Sequence, residues 1–146
     1  MMDVGVPTGV LSYRLEPDGP WYEVENKVTV NYRPVMAKSM AGKPGITYIG
    51  FGSSATAATK DDTSITPITG LPRQAISYIT AATDSFTVAY NMPSGVGNGV
   101  TMKEAGLFDS STGGNMFARI VLSPAIVKTN AIAPFFKWKI TLAAAK

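Results

Sequence analysis

Toward the C-terminus, Phe136, Trp138, Ile140 and Leu142 alternate with Lys137, Lys139 and Thr141. This period of two marks a strand with one buried and one wet face. Phe86, Val88, Tyr90 and Met92 alternate in the same way with Ser85, Thr87, Ala89 and Asn91. Further strands are expected over 26–32 (NKVTVNY), 46–51 (ITYIGF) and 71–80 (LPRQAISYIT), the last forming a hairpin with 85–92 around Ala81 to Asp84. Val100 to Phe108 and Met116 to Leu122 flank Asp109 to Asn115, a run of Asp, Ser, Thr, Gly and Asn only. That arrangement predicts a second hairpin, in which Gly113 and Gly114 supply positive φ angles.

Other stretches break the alternation. After Pro34 the segment VMAKSMAG predicts a two-turn helix with Pro34 at its first position and Gly42 as its cap, and Met36 and Met40 sharing a core-facing side. Residues 52–70 form a long loop of small and polar residues, of a length associated with function or with ordering by a partner. Residues 93–99 (PSGVGNG) read as a turn; no helix follows and no Lys-Ser/Thr pair closes them as a phosphate loop requires. Residues 124–134 read as a connector. Residues 1–25 carry Gly5, Pro7, Gly9, Pro17, Gly19 and Pro20, with a short strand possible from Val10 to Leu15. They read as an extended arm whose Leu11, Tyr13, Leu15, Trp21 and Tyr22 need cover from the body or from a neighbouring subunit.

Seven or eight strands with frequent turns predict an all-β fold, an antiparallel β-sandwich or jelly roll with one short helix. The expected organisation is an N-terminal arm, 1–25, followed by the β domain, 26–146. At 146 residues a single core is large enough to stand alone.

Composition narrows the chemistry. The chain has no His and no Cys, so Ser-His-Asp and Cys-His nucleophile systems, Cys/His zinc sites and disulfides cannot be built. Charged residues make up only 16%, which suits a surface packed against neighbours. Residues 1–25 hold five acids and one cation, a net of −4, and the remainder twelve cations and five acids, a net of +7. Such a division draws the acidic segment to its own body or to another copy. With no run of 18 apolar residues and no basic-then-apolar leader, a soluble chain without a membrane partner is expected.

Candidate site residues are few. Asp61 and Asp62 in the long loop raise a calcium site, against the plainer reading of a solvated turn. Glu104, Asp109 and Asp84 are the carboxylates from which a glycosidase pair would have to come, and none has a catalytic context. A glycan-binding surface needs Trp21 or Trp138 exposed, whereas Trp138 shares a face with Phe136 and Ile140 and is expected in the core. Glu104 and Arg119 either pair across the hairpin or both face solvent; alternation favours solvent. No catalytic, cofactor-binding or metal-ligating residue is assigned. No Lys/Arg cluster is dense enough for a nucleic-acid footprint.

ITYIGFG (46–52), LPR (71–73), MPSG (92–95), EAGLFDSSTGGNMFAR (104–119) and SPAIVK (123–128), ahead of a closing aromatic strand, together resemble a family of small virion structural proteins of tailed bacteriophages. The resemblance spans about residues 26–142. It departs from the family between Lys60 and Leu71, where relatives tend to carry an acidic residue before the Arg, and the segment before Asn26 has no counterpart. The resemblance implies a virion component assembled in the host cytoplasm. Because the chain stops four residues after its last expected strand, with no shaft or tip, a capsid decoration (cement) protein is favoured: a homotrimer on the major capsid protein. The alternative is a tail-fibre, baseplate or neck attachment module. Assembly is expected to use the arm, 1–25, and the loop, 53–70; deleting the arm should leave a folded domain that no longer holds its place in the particle.

Overall fold

The computed structural model describes residues 7–142. Nine strands and one helix follow in the order β1 (Thr8–Arg14), β2 (Tyr22–Val28), α1 (Tyr32–Met40), β3 (Tyr48–Gly52), β4 (Gln74–Ala75), β5 (Tyr78–Ala81), β6 (Ser85–Asn91), β7 (Thr101–Phe108), β8 (Met116–Val127) and β9 (Phe135–Thr141). The strands form a single antiparallel sheet in the order β4-β3-β7-β8-β2-β1-β9-β6-β5. The all-β fold anticipated from alternation is present.

The sheet is folded over on itself. Five strand spacings separate β3 from β9, about 24 Å if the sheet were flat, yet the rings of Phe51 on β3 and Phe136 on β9 are 5.0 Å apart. The two layers, β4-β3-β7-β8 and β1-β9-β6-β5, are therefore halves of one sheet rather than two independent sheets. Two stretches turn its corners. Strand β2 pairs with β1 through residues 22–26 and with β8 through Lys27 and Val28. On the opposite side, residues 74–81 pair first with β3 and then with β6. There the Ile76 N–H donates to Thr47 O and the next amide, Ser77, to Ala89 O.

Between the layers lie Leu11, Tyr13, Phe51, Leu107, Phe117, Val88, Tyr90, Phe136, Trp138 and Ile140, all buried. These are the apolar members of the alternating runs, and Trp138 is in the core as expected, 1% exposed.

Several boundaries differ from the sequence reading. The segment expected as an arm is integral to the described fold: β1 lies between β2 and β9, and β2 extends across residue 25, where the arm was expected to end. Pro17, Gly19 and Pro20 sit in the turn between β1 and β2, and the buried Gly9, Leu11 and Tyr13 give β1 a clean alternation. Residues 1–6 lie outside the described residues. The strand expected at 26–32 ends at Val28, because buried Thr29 turns the chain out of the sheet, its amide donating to Phe117 O and its hydroxyl to Met116 O. The helix begins at Tyr32, so Pro34 is its third residue; the C-cap is Ala41, followed by Gly42 at φ +77°. Met40 is 85% exposed and not core; Val35 is the buried residue of the helix. The expected strand 71–80 is broken at the corner into β4 and β5, and β8 continues through the first part of the expected connector to Val127.

Candidate functional site

Strands β3, β7 and β8 present to the outside the residues opposite to their core-facing set. Register places Gly52 beside Glu104, Gly50 beside Gly106 and Arg119, and Tyr48 beside Phe108. Alternation correctly put Glu104 and Arg119 on this outer face, but the expectation that they are wet is wrong: they are buried, because the loop 53–70 lies over them. Arg119 Nε donates to Glu104 Oε1 at 2.8 Å. The other carboxylate oxygen accepts the amides of Ser54 at 2.7 Å and Thr66 at 2.9 Å. The remaining guanidinium nitrogens reach Asp62 Oδ2 at 3.0 Å and Thr56 O at 2.9 Å. Two charged side chains thus hold the loop at four points, and charge-assisted bonds are the strong ones.

The glycines of the ITYIGFG and EAGLF runs make room for this roof. A Cβ on Gly52 would lie 2.5 Å from both Glu104 Oε2 and Thr66 O, and one on Gly106 would meet the Phe108 ring and Met116 Sδ. Beneath the loop, Ile65, Phe108 and Met116 form a small second core.

Asp109, the first residue of the hairpin turn, organises its end of the molecule. Its carboxylate accepts the Asn115 amide at 2.7 Å, the Asn115 side chain at 3.1 Å and Lys38 Nζ from α1 at 2.9 Å. Burial alone would raise its pKa, but the Asn115 and Lys38 hydrogen bonds together hold it below the usual carboxylate value. Arg73 reaches the same turn, donating from Nη1 to Ser110 O at 2.9 Å and Gly113 O at 2.8 Å while its guanidinium lies 3.6 Å from the Phe108 ring centroid. Gly113 and Gly114 carry φ of +58° and +66°, as the turn requires. LPR and the TGG turn are thereby joined through one arginine.

Lys128 does the same for the loop 93–99. Its buried ammonium donates at 2.9 Å to Ser94 O, Asn98 Oδ1 and Thr129 O, and burial pushes its pKa down. MPSG and SPAIVK meet at this side chain.

The candidate chemistry is dispersed by the fold. Glu104 lies in β7 and Asp109 just past its end, five residues on and about 16 Å away at strand rise, and each is saturated by donors. Asp84 is in the β5–β6 turn of the other layer. No glycosidase geometry is formed by these three. Asp61 pairs with Lys60 at the surface. Asp62 turns toward Arg119; burial would raise its pKa, while the Thr59 amide and hydroxyl and Arg119 together lower it. No group of three potential metal ligands occurs among the described residues. Trp21 is 44% exposed, with the Arg14 guanidinium 4.8 Å and Lys137 Nζ 5.5 Å from its ring. An open hollow of about 440 Å³ between the loop and the hairpin turn is lined by Ile65, Pro67, Leu71 and Arg73.

Sequence reasoning missed Lys38, Arg73 and Lys128 as organising residues. For Arg73 and Lys128 a signal existed in hindsight: each is a lone cation in an apolar stretch of a charge-poor chain, and such a charge needs oxygen partners wherever it is buried. No family model, curated protein or solved structure matches this chain.

Proposed function

We propose that this chain is a structural subunit of a tailed-bacteriophage particle, a capsid decoration protein that stabilises the shell by occupying area across junctions between capsomers. The observation carrying the proposal is the use made of the quoted motifs. Arg73, Glu104, Arg119 and Lys128 are spent on fixing the loops 53–70, 93–99 and 109–115. Charges whose hydrogen bonds are spent on shaping loops, three of the four buried, favour an interaction surface over a reaction centre. Loops fixed before binding lose little conformational entropy on docking. A protein that binds only the assembled shell stabilises it by linkage, in proportion to its binding free energy.

The absence of His and Cys, and the separation of the three candidate carboxylates, support the same reading. The partners proposed are the major capsid protein and further copies of this chain. The test is to separate particles of the phage encoding the chain into heads and tails and detect it by mass spectrometry. Presence in heads is expected. Presence in tails alone replaces decoration with an attachment or baseplate role, and absence from both removes the chain from the virion.

A further inference from the structure

The outer face of the other layer carries a separate pattern. Leu11, Tyr13, Phe136, Trp138 and Ile140 point into the core, so Val10, Ser12, Lys137 and Lys139 lie on the opposite side. Register extends each row across three strands. Glu23, Ser12 and Lys137 are in line, as are Glu25, Val10 and Lys139. All four charged residues are exposed, and none forms an ion pair among the described residues. The acidic strand β2 and the basic strand β9 are held two strand spacings apart, about 9.6 Å, by a narrow ridge of Ser12 and Val10.

We propose that this face binds a second copy of the chain, face to face about a two-fold axis running along β1. Only that axis direction satisfies the charges. Rotation about β1 carries the acidic strand of one copy over the basic strand of the other while preserving the rows, so Glu23 meets Lys137 of the second copy and Glu25 meets its Lys139, twice each. An axis across the strands would set β2 on β2 and β9 on β9, acid against acid and base against base. The contact is isologous, as a two-fold contact must be. At the end of these rows half-exposed Trp21 reaches across β1 within its own copy, its ring centroid 6.1 Å from that of Phe135, and adds an apolar edge to the face. Arg14 lies near the axis, drawn against its own Trp21.

The size of the face sets the strength. About an axis on β1 only β2, β1 and β9 overlap their counterparts, because beyond β2 the sheet turns into β8 of the other layer. Three strands and seven residues cover about 14 Å by about 24 Å, or about 340 Å² per copy, well below the roughly 800 Å² per partner of a standard interface. Pairing is therefore modest in affinity and strongly governed by charge. It concerns the free chain and does not depend on its place in a particle; it also differs from the trimer implied by the resemblance.

Sedimentation equilibrium of the full chain at about 0.1 mM, in about 20 mM and about 500 mM salt, tests it, since the Debye length falls from about 20 Å to about 4 Å between them. The expected mass at low salt is twice the 15.4 kDa of one chain, with association at least about tenfold weaker at high salt. E23K/E25K and K137E/K139E should each sediment as single chains, with unchanged far-ultraviolet spectra because all four sites are exposed. Mixing these two variants, or combining all four changes in one chain, should restore the doubled mass. A single-chain or tripled mass for the unaltered protein at low salt overturns the proposal. So does a doubled mass that survives either reversal or the high salt.

Discussion

Arg119 Nε and Glu104 Oε1 lie 2.8 Å apart on neighbouring strands, both side chains buried beneath a loop that supplies much of the remaining coordination. Removing one member leaves the other charged and out of water, which for a buried pair costs about 3–5 kcal/mol. Arg119→Met is expected to lose stability in that range by urea unfolding. Adding Glu104→Gln to the same chain should recover part of it, because the stranded charge is gone.

Gly52 is required by the same carboxylate, not by its backbone angles. A methyl group there would displace both Glu104 Oε2 and Thr66 O. Gly52→Ala should cost about 1–3 kcal/mol, the usual range for overpacking. In a chain already carrying Glu104→Gly the cost should fall, since one obstacle is absent; thermal unfolding of the single and double variants measures the difference.

The Asp109 carboxylate is held below its ordinary pKa, so its contribution is fully present above about 3.8 and is lost as pH falls through the lower folded value. At neutral pH Asp109→Asn should destabilise by about 1.5–3 kcal/mol, the worth of hydrogen bonds to a charged group. The gap between variant and parent should narrow steadily below pH about 4. Urea midpoints measured from neutrality into acid check both statements.

Deleting residues 1–25 should abolish folding. The deletion removes β1 from the middle of the sheet and residues 22–25 of the corner strand β2, which uncovers the hydrogen-bonding edge of β9 and leaves only Lys27 and Val28 of β2 paired with β8. A truncated chain with a cooperative unfolding transition and native-like strand content would contradict the topology.

The parts of this molecule legible in the sequence are those fixed by local periodicity. Strands β6 and β9, the hairpin of β7 and β8 and the burial of Trp138 follow from alternation and turn chemistry alone. What escaped depends on which distant segment covers a given face. Glu104 and Arg119 have the spacing of solvent-facing residues, and only the return of loop 53–70 makes them interior. Residues 8–25 are broken by Pro17, Gly19 and Pro20, which mark a turn within the sheet as readily as an unattached arm. The corner at Ile76–Ser77 likewise has no local signature, since no glycine or proline marks the bend at which the chain changes partner.

Amide hydrogen exchange at Ser54 and Thr66 tests most directly the claim that buried charges fix the loops. Both amides belong to a long loop, yet both donate to the Glu104 carboxylate. Slow exchange in the parent, lost at these two amides in Glu104→Ala while the β9 amides stay protected, is the predicted result. Fast exchange in the parent, or protection unchanged by the substitution, would contradict it.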